Sequence, residues 1–339
     1  DLFRKLQNEL YNTQILSTSS ISYTDFVTNR ILTGEEASLT NAFAAFCHTF
    51  LAHKEPDRFD ESVVTTAFHS NPDITLRLIR LFKTRFDPEI PEREGLYEKE
   101  RKEALEVIEG YNTGHRYLDE VRRTIFRTCL FFIQRTLKTN FFVPEKHALA
   151  FRLDPEILSD QGSTFTSDLP QGRPFRITFF FSRHGVGYHI GFSDIARGGW
   201  RTFICKTPDE CTTNTNSVFK EVYVLAHTQH LKNKDIYEGG SKLTVVMDAV
   251  GLDSPALVTQ RLYKVQYGIL NAFLDLFVTE KGSAKHPGVV DYFGEDEPIE
   301  LGPDENMGDA MIEFIARQSV KRGYILGIGI MSSKEIGIN

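Results

Sequence analysis

Residues 174–192 read PFRITFFFSRHGVGYHIGF, and this stretch indicates the fold class. β-branched and aromatic residues fill 176–181, and a proline and a glycine-containing turn bound them, which predicts a strand paired with a neighbour over 188–192. The run LTVVM at 243–247 is continuously apolar, as expected of a buried strand. We therefore expect a sheet in the C-terminal part of the chain.

Helical patterns lie between and after these strands. Apolar residues recur at the spacing of a helix along 218–229, 256–278 and 307–322. Strands that are mixed with helices in this way are typical of a layered α/β domain. We predict the α/β (or α+β) class, with a central mixed sheet.

The first 140 residues differ from the rest and read mainly as helices. Apolar positions from Leu118 to Leu137 repeat at three and four, and the segments 43–51 and 97–109 are further helices. Prolines and polar turns begin near Asn140. We therefore predict a helical support or interaction region over 1–140, without a catalytic group of its own, and a second domain over 141–339.

Composition excludes several classes of protein. The 339 residues include 39 Lys and Arg and 46 Asp and Glu, a net charge of −7, which argues against a nucleic-acid or anionic-membrane partner. No apolar run approaches the roughly 18–20 residues of a membrane-spanning helix. The four cysteines show no zinc spacing and no C-x-x-C pair, so we expect a reduced, intracellular protein without a metal site.

Two segments carry basic side chains beside glycine pairs. SDIARGGWR at 193–201 sets Arg197 and Arg201 around Gly-Gly, where forked hydrogen bonds can hold a carboxylate or phosphate. Taken alone, this segment favours a plainer interpretation, a hairpin turn with two solvated arginines. In KNKDIYEGGSK at 232–242, Lys242 directly precedes LTVVM. An amine at a strand edge can be desolvated, which favours its neutral, basic form.

A third segment, LGPDENM at 301–307, places carboxylates just before a helical pattern. Such a carboxylate either caps the helix or, in a cleft beside a lysine, exchanges protons. The lysine segment lacks the glycine spacing and the hydroxyl of a P-loop, which makes phosphate cradling the weaker interpretation.

The order ARGG, HLKNKDIYEGGSK and GPDENM resembles that of the large NAD-specific glutamate dehydrogenases. Flanking stretches at 136–155 (TLKTNFFVPEKHALAFRLDP) and 332–339 (SSKEIGIN) support the resemblance, which is clear over about residues 130–339. It implies that the chain is a fragment with the substrate-binding and oligomerisation domain of that family. The start at Asp1 without Met also fits a fragment. A Rossmann domain would then begin after Asn339.

The resemblance also implies roles for individual residues. Arg197 stands where smaller members carry a lysine that holds the side-chain carboxylate of the substrate, and Lys232 matches the lysine that holds the α-carboxylate. Lys242 matches the catalytic lysine and Asp304 the catalytic aspartate. The substrate would approach the backbone at four glycines, Gly198, Gly199, Gly239 and Gly240. Two positions depart from the family pattern: Leu243 replaces a common glycine, and Trp200 replaces a smaller aliphatic residue.

By this resemblance the protein oxidatively deaminates L-glutamate to 2-oxoglutarate and ammonium with NAD, and forms a homo-oligomer in the cytoplasm or mitochondrial matrix. The chain contains no G-x-G-x-x-G, so NAD would be bound mainly by a domain outside it, and the fragment would be inactive alone. Two alternatives stay open: a non-catalytic regulatory or assembly module of the same fold, and a dehydrogenase for another amino acid.

Overall fold

The computed structural model describes residues 2–332, so the SSKEIGIN motif lies outside the described residues except for Ser332. Strands and helices alternate from residue 136 onwards, and helices occupy most of the chain before it. The strands are β1 (Thr136–Thr139), β2 (Leu149–Leu153), β3 (Arg176–Ser182), β4 (Gly185–Gly191), β5 (Ala196–Cys205), β6 (Gly239–Asp248), β7 (Thr279–Glu280), β8 (Ser283–Ala284) and β9 (Ile299–Pro303).

The α-helices fall into an N-terminal group of six and a C-terminal group. They are α1 (Leu2–Asn12), α2 (Gly34–Ala52), α3 (Glu61–His69), α4 (Pro72–Phe86), α5 (Arg93–Glu109), α6 (Arg116–Arg135), α7 (Ile157–Asp160), α8 (Pro208–Lys232), α9 (Pro255–Phe277) and α10 (Asp309–Arg322). A short π-helix at Tyr23–Val27 and a 3-10 turn at Gly327–Ile330 complete the described elements. No described helix is long and apolar enough to span a membrane.

Seven strands form one mixed sheet in the order β1-β2-β3-β4-β6-β5-β9, which confirms the predicted α/β class. The strands β1, β2, β3, β4 and β6 pair antiparallel in that order. β5 then pairs parallel with both β6 and β9. The parallel pair β5–β6 is connected by α8, so this helix crosses one face of the sheet.

The predicted strands over 176–181, 188–192 and 243–247 are present as β3, β4 and β6. Two expectations were wrong. Strands begin at β1 and β2, earlier than the sequence indicated, and residues 196–201 are not a hairpin turn but the first part of β5. Glycine and arginine have low strand propensity, but β5 is paired on both sides, and this tertiary pairing overrides the local preference.

A phenylalanine core joins the helical layer to the sheet. Phe46 of α2 stacks on Phe132 of α6 with ring centroids 4.3 Å apart, and it meets Phe179 of β3 at 5.4 Å. Helices α9 and α10 pack against the opposite face of the sheet. Helix α6 ends at Arg135, and β1 follows immediately. The proposed division between 140 and 141 stays a prediction, and the core is continuous across it.

The second face of the sheet contains a cluster of buried charges. The Glu297 carboxylate lies 2.9 Å from the Lys138 ammonium, 2.8 Å from Nε of Arg152 and 2.6 Å from Nε of Arg176. Burial raises the pKa of Glu297, but the charges of the three cations outweigh this effect and hold it well below its usual range. One carboxylate therefore neutralises cations from β1, β2 and β3.

We predict that Glu297→Gln lowers the free energy of unfolding by about 3–5 kcal/mol, because it leaves buried cations without their counter-ion. Folding lowers the pKa of Glu297, so its stabilisation is present above the ordinary carboxyl pKa and is lost as pH falls towards the folded value. Urea unfolding at pH 7 measures the change. The exposed neighbour Glu295 provides the control, since Glu295→Gln should change stability by less than about 0.5 kcal/mol. Equal effects of the two substitutions would contradict the role of Glu297.

Candidate active site

A polar cleft of about 410 Å³ lies between the C-terminal half of α8 and strands β5, β6 and β9. Its walls include the four charged residues that the resemblance assigned to substrate and catalysis. The lining residues are Arg197, Gly198, Gly199, Leu225, Thr228, Gln229, Lys232, Ser241, Lys242, Glu300, Gly302, Pro303, Asp304 and Ser332. Groups from segments that are distant in sequence, from Arg197 to Ser332, therefore meet in one concave site.

Strand alternation explains which side chains reach the cleft. Successive residues of a strand point to opposite faces, so Arg197 and Gly199 of β5 share the face that α8 covers. The parallel register sets Gly199 opposite Lys242 of β6 on one side and opposite Gly302 of β9 on the other. Lys242 is the fourth residue of an interior strand, rather than a residue before a strand edge.

The ammonium of Lys242 donates a hydrogen bond to Oδ2 of Asp304. The Lys242 side chain is 13% exposed and that of Asp304 is 41% exposed, so the pair lies at the cleft wall. Partial burial raises the pKa of Asp304, but the hydrogen bond and charge of Lys242 and the Glu305 backbone N–H outweigh it, and the pKa is lowered. Asp304 is therefore an ionised hydrogen-bond acceptor beside a lysine.

Gly199 makes room for this ion pair. A Cβ atom at position 199 would lie 2.9 Å from Oδ2 of Asp304 and 3.2 Å from Nζ of Lys242. The other lining glycine of ARGG, Gly198, approaches the Ser241 backbone so closely that a Cβ would collide with its carbonyl oxygen. Glycine at these two positions is required by neighbouring atoms, which the sequence pattern alone could not show.

The structure does not bring Gly239 and Gly240 into the cleft. A Cβ at 240 would collide with the backbone of His230 in α8, and a Cβ at 239 would collide with the Ser193 side chain. The glycine pair therefore allows β6 to pass close under α8. This contact fixes the start of β6 and, two residues later, the position of Lys242.

The loop that carries Asp304 is held to β5 by Asn306 and Thr202, for which the sequence predicted no role, and by Arg201. Arg201 was a candidate for holding a ligand carboxylate or phosphate, but it pairs with carboxylates of the protein. Asn306 has a left-handed φ of 64°, and its side-chain amide donates to the carbonyl of Thr202 at 2.7 Å. The Thr202 N–H in turn donates to the carbonyl of Glu305 at 3.0 Å. Arg201 donates to the Glu305 carboxylate at 2.8 Å and to that of Glu221 at 3.1 Å. Arg201 is thus a positioning residue for the loop.

Two cations of the cleft remain available to a ligand. The Arg197 side chain is 49% exposed and has an ion pair of 3.9 Å with Glu300, which is too long for a direct hydrogen bond. Lys232, the last residue of α8, is exposed and has no hydrogen bond or ion pair to any side chain within 2–332. Both can turn towards an anionic group in the cleft.

Comparison with known proteins shows the family of the chain. Residues 115–327 match the family model described as bacterial NAD-glutamate dehydrogenase, catalytic domain. The match spans more than half of the chain and includes all four charged residues assigned above. The chain belongs to the NAD-glutamate dehydrogenase family.

Curated relatives in the NAD-glutamate dehydrogenase family are much longer proteins. Glutamate dehydrogenase 2 of Dictyostelium discoideum is 36% identical over 193 residues, which are 57% of this chain and 17% of that protein. The NAD-specific glutamate dehydrogenase of Neurospora crassa is 34% identical over 207 residues, which are 60% of this chain and 18% of that protein. The NAD-specific glutamate dehydrogenase of Pseudomonas aeruginosa is 30% identical over 288 residues, which are 82% of this chain and 16% of that protein. The chain spans less than a fifth of these relatives.

These matches confirm the resemblance predicted from the three motifs. One solved structure aligns with 46% of this chain. It is the hetero-hexameric glutamate dehydrogenase from Thermus thermophilus in its leucine-bound form, and the alignment covers 30% of the length of that chain. The TM-score is 0.26 at 18% identity, and at that level the overlap carries no argument.

The two departures from the family pattern lie away from the cleft. Trp200 and Leu243 are register partners in β5 and β6, and each is 1% exposed. Both belong to the core under α9 and α10, on the face opposite Lys242. In this member of the NAD-glutamate dehydrogenase family they fill the core and do not line the site.

We predict that Gly199→Ala raises the pKa of Asp304 towards its ordinary value, because the added methyl group separates the carboxylate from Lys242. NMR titration of carboxyl-labelled aspartate measures this shift. Gly302→Ala is the matched control, since a Cβ there meets its nearest neighbours at an ordinary 3.6 Å. An unchanged Asp304 titration in Gly199→Ala would show that the pair tolerates the side chain.

Proposed function

We propose that this chain supplies the substrate side of an NAD-dependent glutamate dehydrogenase, which oxidatively deaminates L-glutamate to 2-oxoglutarate and ammonium. The observation that supports it most is the meeting of Arg197, Lys232, Lys242 and Asp304 in one cleft. The names of the curated relatives, which are NAD-specific glutamate dehydrogenases, point to the same activity.

Dicarboxylate binding would be the work of Arg197 and Lys232. A substrate with a carboxylate at each end needs two cations, and a guanidinium can hold a carboxylate by two parallel hydrogen bonds. The Glu300 carboxylate lies 3.9 Å from Nε of Arg197, so a substrate carboxylate would compete with it for the guanidinium. We assign the side-chain carboxylate to Arg197 and the α-carboxylate to Lys232.

Proton transfer would be the work of Lys242 and Asp304. Removal of a hydride from Cα leaves a carbon–nitrogen double bond, and water must then add before ammonium leaves. The Lys242 ammonium can donate a hydrogen bond to the carbonyl oxygen or orient the water. The ionised Asp304 can accept a proton from the substrate nitrogen and later from the adding water, and can return a proton to the nitrogen so that ammonia leaves. Their hydrogen bond gives a direct path for a proton between the two groups.

When bound, NAD would supply the hydride acceptor. No G-x-G-x-x-G occurs in the chain, and none of the cleft residues forms a glycine-rich turn at the start of a helix, so they do not fit a dinucleotide. We propose that a Rossmann domain after Asn339 binds NAD and closes over the cleft. We also propose self-association through this part of the protein and an intracellular location.

We predict that Arg197→Met weakens 2-oxoglutarate binding roughly tenfold or more, because one charge-assisted carboxylate contact is lost. Binding of 2-oxopentanoate, which lacks the second carboxylate, should change by less than about twofold. Isothermal calorimetry on residues 1–339 measures both ligands. The control is Arg317→Met, which removes an exposed arginine of α10 outside the cleft. Equal losses for the two ligands would contradict the assignment of Arg197.

We also predict that the purified chain does not reduce NAD with L-glutamate, whereas a protein extended past Asn339 does. NADH absorbance reports the reaction, and Lys242→Ala in the extended protein should abolish it without loss of folding. Robust NAD reduction by the 339-residue chain would refute the division of the active site between two domains.

A further inference from the structure

A second cavity, of about 620 Å³, lies between the β3–β4 turn, the N-terminal half of α9 and the segment after α1. It shares no lining residue with the active-site cleft. Three cations line it, Arg183, Arg261 and Lys264, and no aspartate or glutamate does. We propose that this cavity binds a phosphorylated anion.

The three cations are not neutralised by the protein. Within residues 2–332, none of them has a carboxylate within 4 Å, although the chain as a whole carries a charge of −7. Arg183 donates only long hydrogen bonds, of 3.3 Å to the Thr13 carbonyl and 3.4 Å to the Ser17 hydroxyl. Arg261 donates to the Asp248 carbonyl at 3.0 Å, and Lys264 has no side-chain partner within that range. Their remaining N–H groups are free to bind phosphoryl oxygens.

Two acidic side chains, Asp248 and Glu145, lie near the cavity but do not line it. The Asp248 carboxylate accepts a hydrogen bond from the Val250 N–H at 2.8 Å and lines an adjoining cavity beside Cys211, which shares Ser182, Arg183 and His184 with this one. Glu145 accepts a weak hydrogen bond, 3.4 Å long, from Gln7. The cavity itself is therefore lined by positively charged and neutral side chains only, and its low-dielectric walls strengthen the attraction of these cations for an anion.

The cavity also contains two imidazoles, and both have lowered pKa values. Burial and the charges of Arg261, Arg183 and Lys264 lower the pKa of His184 to about 4, against the opposing charge of Asp248. Burial also lowers the pKa of His147, against the opposing charge of Glu145. Both rings are neutral at physiological pH, and each keeps a donor and an acceptor nitrogen. A bound anion would raise the pKa of His184, which gives the site an internal probe.

One wall of the cavity is aromatic. Tyr263 and Tyr267 of α9 are both partly exposed. Tyr267 contacts His147 edge-on, with ring centroids 5.2 Å apart, and the tilted ring of Phe314 at 5.4 Å. Phosphoryl oxygens would bind the cations whether the ligand is a bare polyphosphate or a nucleoside phosphate. A nucleobase would gain additional contact with the tyrosines, and the volume is within the usual range of small-molecule sites.

The experiment is isothermal calorimetry of inorganic pyrophosphate and of ADP against residues 1–339 and the variant Lys264→Gln. Lys264 is exposed and unpaired, so its replacement leaves folding intact. We expect pyrophosphate to bind and the variant to weaken it about tenfold, as the loss of one charge-assisted contact requires. The pKa of His184, followed by NMR, should rise when pyrophosphate binds.

Lys232→Gln is the matched control, because it removes another exposed, unpaired lysine from the substrate cleft. It should change pyrophosphate binding by less than about twofold. A weakening by Lys232→Gln instead of Lys264→Gln would place the anion in the cleft and overturn the proposal, as would no binding of either probe. Tighter binding of ADP than of pyrophosphate would support a nucleoside phosphate, and equal binding would support recognition of the phosphoryl groups alone.

Discussion

The carboxylate of Glu297 is the contact on which the site depends. It attaches the segment before β9 to cations of β1, β2 and β3, beneath the sheet. From there β9 runs along β5 and ends at Pro303, one residue before Asp304. A buried carboxylate with three cations has little freedom to move, since separation would leave charges in a low-dielectric interior. The catalytic candidate on the opposite face is therefore placed by an electrostatic anchor that never contacts a ligand.

The two faces of the sheet have different tasks because side chains alternate along each strand. In β5 and β6, the residues that face α8 carry the chemistry, and the residues between them, such as Trp200 and Leu243, fill the core. Departures from the family pattern at the core positions therefore leave the cleft unchanged. Glycines at close contacts allow β5 to approach β6, and β6 to approach α8.

Two cavities in the described part of this acidic chain contain cations that are available to a ligand. In the cleft, Lys242 is already paired with Asp304, while Arg197 and Lys232 are available for carboxylates. In the second cavity, no carboxylate balances the three cations. The first arrangement suits a small dicarboxylate and proton transfer, and the second suits a ligand with a higher density of negative charge.

The sequence by itself determined the α/β class, the strands rich in β-branched and aromatic residues, and the family, since these depend on local patterns and on three motifs in fixed order. Only the tertiary structure decided that 196–201 is a strand, because pairing on both sides overrides the weak propensity of ARGG. It also decided that Gly239 and Gly240 pack under α8, whereas Gly199 makes room for the ion pair. A glycine pattern shows that space is needed, but the atoms that occupy this space come from residues distant in sequence.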